Sequence, residues 1–530
     1  MRTSTFTAGL IALTLLAAQA APAPKPAAKS QSKPAPAAKP RTDARRLSRA
    51  ELEDKIRGGW AGQMIGVSYG APTEFKWEGK MIEGEIKWAP DMVENAIHQD
   101  DLYVEMTFAA VMDHAGLKAT SEQYGEAFKN SKYSLWHANA AARRVLNLGV
   151  NAPFSGDPKY NLHANDIDFQ IEADFIGLMA PGLPRVSNEF CDRVGRVMNY
   201  GDGVYGGMFV CGMYCAGYFE SDPRKVVEAG LACIPAASSY ALLIQDLLKW
   251  SAEYPEDWQR VWQLVEDKWD KDDPCSDGAL APFNIDAKLN GAYIAFGLLY
   301  GKGDFARTLE VSTRCGQDSD CNPSSAGGVL GVMLGYQRIP DQFKSGLAKL
   351  ADVKFEFTDY SFNTICESTL RRALTLIKQN GGKVTDLEVV IPYQAPKPPK
   401  LEQWDPGIPD KRVGTKDPAW RWNGSWAENK GAMDSDTRDN EVSIRFTGTA
   451  IAIIGRLSQQ GGRAEVYLDG QKAGIADAYI VERTHDNVLW HTYGLEPGNH
   501  LVKLVTLAEA DPRSRGHKVS IEQAVVYRAR

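Results

Sequence analysis

Apolar positions recur with a helical period over most of the first three quarters of the chain. Behind a capping box in which Ser48 precedes Glu51 by three residues, Leu52, Ile56, Trp60, Met64 and Val67 form one stripe and predict a helix. Gly58, Gly59, Ala61, Gly62 and Gly66 interleave with that stripe. Small residues let a neighbouring backbone come close, so this helix is expected at the centre of its domain. Further helical segments are predicted over 102–115, 205–219, 223–233, 238–253, 288–300 and 323–336. Few period-two runs interrupt them, and residues 47–395 read as one all-α domain. The pattern changes after a Pro-rich hinge at 396–410. "EVSIRF" puts Val442, Ile444 and Phe446 on one face, and "AEVYLDGQKAG" carries Asp469-Gly470 at a hairpin turn. "HLVKLVTL" and "VSIEQAVVY" add strands, so residues 411–530 read as a small all-β sandwich, an accessory domain. Trp404, Trp420, Trp422, Trp426 and Trp490 cluster in this part. They fit core and interdomain packing, or a carbohydrate-stacking platform.

The N-terminus is of another kind. "MRTSTFTAGLIALTLLAAQA" joins one Arg to an apolar run and the small-residue pattern Ala18-Gln19-Ala20, which predicts a signal peptide over residues 1–20. Residues 21–46 then form a Pro/Ala/Lys-rich tether. The mature protein is expected to be exported, to the periplasm or as a secreted protein, with no membrane span. Residues 1–46 carry eight Lys/Arg against one acid, leaving a net −14 on the remainder of a chain whose total is −7. An acidic body has no broad basic surface to replace phosphate counterions, which argues against nucleic acid as a partner. A small-molecule or glycan substrate fits better. Eight cysteines in an exported chain permit disulfides. Cys211 and Cys215, four apart on a helix, fit as small apolar groups, and Cys315 and Cys321 flank a loop they could bridge. With no CxxC pair and few His, a structural zinc site has little support.

Three acidic stretches stand out in the helical part: "GAPTEF" with Glu74, "QDDLY" with Asp100 and Asp101, and "RCGQDSDCNPSSAGG" with Asp318 and Asp320. Each pair of aspartates opens a helix, where carboxylates commonly cap orphan N–H groups. If the two helices pack at the domain centre, however, four carboxylates converge, and a hard oxygen-seeking cation is the natural resolution. Without His or Cys at ligand spacing, Mg2+ fits better than zinc, as one ion or two, with Mn2+ or Ca2+ as alternatives.

"DKIRGGWAGQMIGVSYGAPTEF", "QDDLYVEMTFAAVMDHAG", "GDGVYGGMFVCGMYCAGYF" and "CGQDSDCNPSSAGGVLGVMLG" follow one another in the order of the motifs of the ADP-ribosylglycohydrolase family, which residues 49–385 resemble. The resemblance implies an all-α fold with a binuclear Mg2+ site in a central cleft. Asp100, Asp101, Asp318 and Asp320 would be its ligands, and Glu74 would match a mobile acidic residue near the metals. Gln99 stands where the family has Thr, and its amide oxygen could coordinate; Cys321 stands at another such Thr. Catalytic roles fall on Glu74, Asp101 and Asp320. Where relatives acting on ADP-ribose carry a Gly-rich segment that approaches the nucleotide, this chain has "ANDIDFQIEADFIGLMAPGLP", with Asp166, Asp168, Gln170, Glu172 and Asp174. Such charges would repel a pyrophosphate and suit hydroxyl-rich neutral ligands, although Glu172 and Asp174 also read as ordinary helix-face charges. Asp168, Gln170, Glu172 and Asp174, with Tyr205 from the Gly-rich "GDGVYGG", are therefore the expected substrate contacts. Trp136, His137 and Asn139 add an aromatic with polar neighbours.

The leading expectation is a glycosidase: a Mg2+-dependent hydrolase of bonds to a ribosyl or other furanosyl-type sugar, acting outside the cytoplasm. Hydrolysis of ADP-ribosyl proteins is the alternative from the same family. A non-catalytic, glycan-binding relic of the fold and a metal-free two-acid glycosidase are the others.

Overall fold

The computed structural model describes residues 44–530, apart from 272, 482 and 483. The signal peptide and nearly all of the tether expected from the sequence lie outside these residues. Arg45 and Arg46, which composition assigns to the tether, instead run in a strand, Arg45–Ser48. It pairs antiparallel with Glu388–Ile391, which in turn pairs with Lys383–Val384, a small sheet beside the helices.

The first helix, Arg49–Gly70, starts at Ser48, whose hydroxyl accepts from the Glu51 amide at 3.0 Å. Both sides of this helix are buried over most of its length. Its glycines face the helix Cys321–Leu334 backbone to backbone. A Cβ at Gly66 would lie 2.1 Å from the Pro323 carbonyl oxygen, and one at Gly70 would lie 2.0 Å from that of Ser319. Only glycine permits this approach, and it brings the end of one helix onto the start of the other. The helix Asp100–Ala115 packs into the same apolar core, with Leu102, Val104, Met106 and Phe108 buried. No described helix is long and apolar enough to cross a membrane.

The C-terminal strands form two antiparallel sheets. One runs in the order Gln471–Asp477, Arg463–Leu468, Gly498–Thr506, Glu441–Gly448, Trp420–Asn423. The other is built around Thr484–Thr492, Ala450–Leu457 and Val519–Arg528. Val442, Ile444 and Phe446 enter the core between them as the alternation predicts. Asp469 and Gly470 both have positive φ (51° and 83°), the two-residue geometry that matches strand twist. The second sheet is apolar on its outer face as well. Ala450, Ala452, Ile454, Val525 and Tyr527 pack there with Leu162 and Ala279 of the helical part. The tryptophans serve packing: Trp420 is buried and stacks on Trp422, Trp422 meets Trp426 edge-on, and Trp404 donates to Asn165 Oδ1 at 2.9 Å.

Candidate functional site

Two helix starts and one helix end meet at an acidic centre. Asp100 and Asp101 open the helix Asp100–Ala115. Asp318 and Asp320 precede the helix Cys321–Leu334. Glu74 follows the short turn Ala71–Thr73 that continues the first helix. Side chains lock these segments together: Thr73 Oγ1 donates to the Gly70 carbonyl at 2.7 Å and shares a 2.8 Å hydrogen bond with Ser319 Oγ. Gln317, in the left-handed region at φ 55°, turns the loop, with its amide held by Asn284 N and the Pro282 carbonyl at 2.9 Å each.

The aspartates are not explained by capping. Neither the helix at Asp100 nor the one at Cys321 has a side-chain cap hydrogen bond. Both carboxylate oxygens of Asp101 and Oδ1 of Asp318 are buried without a hydrogen-bond partner. Among the described residues no Lys or Arg ion-pairs with Glu74 or any of the four aspartates. Mutual repulsion follows. Burial, then the Asp320 and Asp100 carboxylates, push Glu74 up to about 8, against the pull of Lys76. Burial and Asp320 push Asp100 up to about 6. Asp101 is driven well above the carboxylate range by burial, Asp100 and Asp320, and Asp318 by burial and Asp320. Asp318, Asp320 and Cys321 each bring a potential ligand atom within 4.8 Å of the others. Unpartnered oxygens in a set of oxygen donors are what a hard dication would complete. Glu74 and Asp100 are only half-buried, so the centre has a side open to solvent.

Other candidates fall elsewhere. Gln99 is turned to Asn95, donating its amide to Oδ1 at 2.8 Å. Cys315 and Cys321 are free thiols, as are all eight cysteines, so the bridge across the loop is absent. Of the expected substrate contacts, Glu172 stays with the centre: Oε1 accepts from Asn139, Oε2 is buried and unpartnered, and the Asp168, Asp100 and Asp101 charges act on it. The others are engaged by partners within the protein. Asp168 caps the helix His137–Asn147, accepting from Ala138 N at 3.2 Å and Asn139 N at 2.9 Å. Asp174 is fully buried between the Tyr214 hydroxyl at 2.5 Å and Ser325 Oγ at 3.2 Å. Gln170 fills a buried slot beside Tyr240 and Gly291. Tyr205 faces the hinge, its hydroxyl donating to the Lys400 carbonyl at 3.0 Å and accepting from Glu402 N at 2.7 Å.

Residues beyond the expected set border the centre. Glu105 lies below it, accepting from Gln63 Nε2 at 3.1 Å and Phe175 N at 2.8 Å, and burial with the Asp174 charge holds its carboxyl well above the usual range. Phe75 follows Glu74 and meets Phe283 edge-on at 5.4 Å, and Phe357 meets Tyr103 edge-on at 5.2 Å. Phe75 and Phe357 have φ of 50° and 58°, a costly setting for aromatic residues. Periodicity carries no signal for such isolated loop positions.

A family model described as ADP-ribosylglycohydrolase matches residues 48–375. Among solved structures, one described as an ADP-ribosylglycohydrolase-related protein complex is 13% identical, with 61% of this chain and 99% of that chain covered and a TM-score of 0.43. The CBM36-1 domain of a multidomain xylanase from the hindgut metagenome of Trinervitermes trinervoides is 13% identical over 22% of this chain and 94% of its own, at a TM-score of 0.18. A family two carbohydrate esterase from Cellvibrio japonicus is 13% identical over 22% and 32%, at 0.17. No curated protein matches.

Proposed function

The chain belongs to the ADP-ribosylglycohydrolase family, and from that premise we propose that it is a Mg2+-dependent hydrolase of glycosidic bonds to a ribosyl or other furanosyl-type sugar, acting outside the cytoplasm. The observation that carries the metal reading is the set of buried, unpartnered carboxylate oxygens on Asp101 and Asp318. Asp100, Asp101, Asp318 and Asp320 would hold the ion. When bound, it would supply Lewis-acid polarisation and a template for vicinal hydroxyls and a water.

The chain's own residues supply the rest. Glu74 is half-buried and, before an ion binds, pushed up to about 8 by burial and the Asp320 and Asp100 charges, so it can carry a proton into the centre. It is suited to donate that proton to the departing oxygen and then to accept one from the attacking water. Asp101 and Asp320 orient that water. Glu172, with one oxygen free, is suited to accept from a substrate hydroxyl. Export is supported by the N-terminal apolar run ending in Ala18-Gln19-Ala20.

Hydrolysis of ADP-ribosyl proteins is the second reading, favoured by the family match itself. Glu172, with a buried oxygen that has no partner, suits a hydroxyl donor and stands against a pyrophosphate. A hydrolysis screen of ADP-ribosyl peptides, furanosyl glycosides and nucleosides, each with EDTA and with Mg2+ restored, separates them. Mg2+-dependent release from furanosides but not from ADP-ribosyl peptides is expected. Turnover confined to ADP-ribosyl peptides would select the second reading, and turnover indifferent to EDTA would remove the metal. Asp101→Asn and Asp318→Asn should each lower kcat by at least about a hundredfold, the scale of losing a principal transition-state contact, with the fold retained by circular dichroism.

A further inference from the structure

We propose a second metal site, for a borderline dication of the Zn2+ class, formed by His137, His163 and Asp277 with Asp166 and Cys275 behind them. It is separate from the acidic centre and goes beyond the proposed function. His137, His163 and Asp277 each bring a ligand atom within 4.8 Å of the others, and so do His163, Asp166 and Cys275. His163 belongs to both sets. Its Nδ1 lies 2.8 Å from Asp166 Oδ2 and 3.1 Å from Cys275 Sγ. A ring nitrogen engaged by a buried carboxylate fixes the tautomer and leaves Nε2 as the metal-binding atom, the carboxylate–histidine arrangement that metal centres use.

The ligand atoms of the first set are near one another but not tightly bonded. His137 Nδ1 is buried without a well-formed hydrogen bond, although Asp277 Oδ2 stands 3.3 Å away. The two imidazole rings are 6.2 Å apart and tilted by 50°, so they do not stack. His137 is also held at φ 44°, a left-handed setting that costs a non-glycine residue about 1–3 kcal/mol and gathers at functional sites. Ligand atoms on a tetrahedral Zn2+ at about 2.0–2.1 Å are about 3.3 Å apart, so small side-chain rotations would complete the site. Two imidazoles with carboxylate select a borderline ion over Mg2+. A plain pair of His–Asp ion pairs accounts for the charges but not for the strained backbone of His137.

The β-sandwich holds the loops that carry these ligands. Arg412 donates from Nε to the Ala279 carbonyl and from Nη2 to those of Ser276 and Asp277, at 2.8 to 2.9 Å, and the Tyr527 hydroxyl donates to Pro274 at 3.0 Å. His491 donates to the Pro158 carbonyl at 2.7 Å. The site also adjoins the acidic centre, because Phe283 stacks on His137 at 5.5 Å and meets Phe75, the residue after Glu74.

The test is Zn2+ calorimetry and Co2+ absorption on the chelator-treated full chain, read with near-ultraviolet circular dichroism. One tight Zn2+ and visible Co2+ bands are expected in the wild type and in Asp318→Asn. Binding should be lost in His163→Gln and in Asp277→Asn, and weakened about 10–100-fold in Asp166→Asn. Asp277 is partly exposed, with 27% of its side chain accessible, so its variant stands in should His163→Gln fail to fold. Absence of Zn2+ binding in the wild type would overturn the proposal. So would binding that survives in folded Asp277→Asn but disappears in Asp318→Asn, because the ion would then belong to the acidic centre.

Discussion

At the scale of single residues, the acidic centre stores repulsion that a cation would relieve. Glu74 and Asp100 are pushed up to about 8 and 6, whereas unfolded carboxylates titrate at about 4. Between those values the folded chain binds more protons than the unfolded one. The stability these groups contribute is therefore full below about pH 4 and is lost as pH rises toward about 8. Ionised carboxylates, in turn, bind a dication better as pH rises. The melting temperature of EDTA-treated protein is expected to fall between about pH 5 and 8, and the increase produced by Mg2+ to grow over the same range. A Mg2+ shift that shrinks with pH, measured by scanning calorimetry, would contradict this.

At the scale of elements, the centre depends on the backbone contact between Arg49–Gly70 and Cys321–Leu334. Gly66→Ala would set a methyl group 2.1 Å from the Pro323 carbonyl oxygen. It should cost at least about 1–3 kcal/mol in urea unfolding, as forced overpacking does, and weaken Mg2+ binding by parting the helix ends. Gly414→Ala, which meets nothing within 4 Å, should stay within about 0.5 kcal/mol. These elements were legible in the sequence. A glycine every fourth position announces close approach, and Asp-Asp and Asp-x-Asp at two helix starts announce what meets there. The segment from Asp168 to Asp174 was less so. A polar side chain in an apolar run satisfies an internal partner as readily as a ligand. Asp174 found Tyr214 and Ser325, and Asp168 found a helix start. His137, His163 and Asp277 carry no spacing signal, since only tertiary folding brings three distant segments together.

At the scale of the whole molecule, the sandwich acts as a buttress. Hydrophobic alternation was enough to read its sheets, but its outer apolar face has meaning only against Leu162 and Ala279. Arg412 satisfies three carbonyls of the helical part. Arg412→Ala should cost about 2–4 kcal/mol, the scale of stranding acceptors from a charged donor, and should open the 273–280 loop to hydrogen exchange. Unchanged exchange there would deny the sandwich this role. The central claim, however, is that Asp101 and Asp318 meet across one cation, and isothermal calorimetry of Mg2+ on the chelator-treated chain tests it most directly. Saturable binding in the wild type, lost in both Asp101→Asn and Asp318→Asn, is the predicted result. Wild-type protein that takes up no Mg2+, or both variants binding as tightly as wild type, would contradict it.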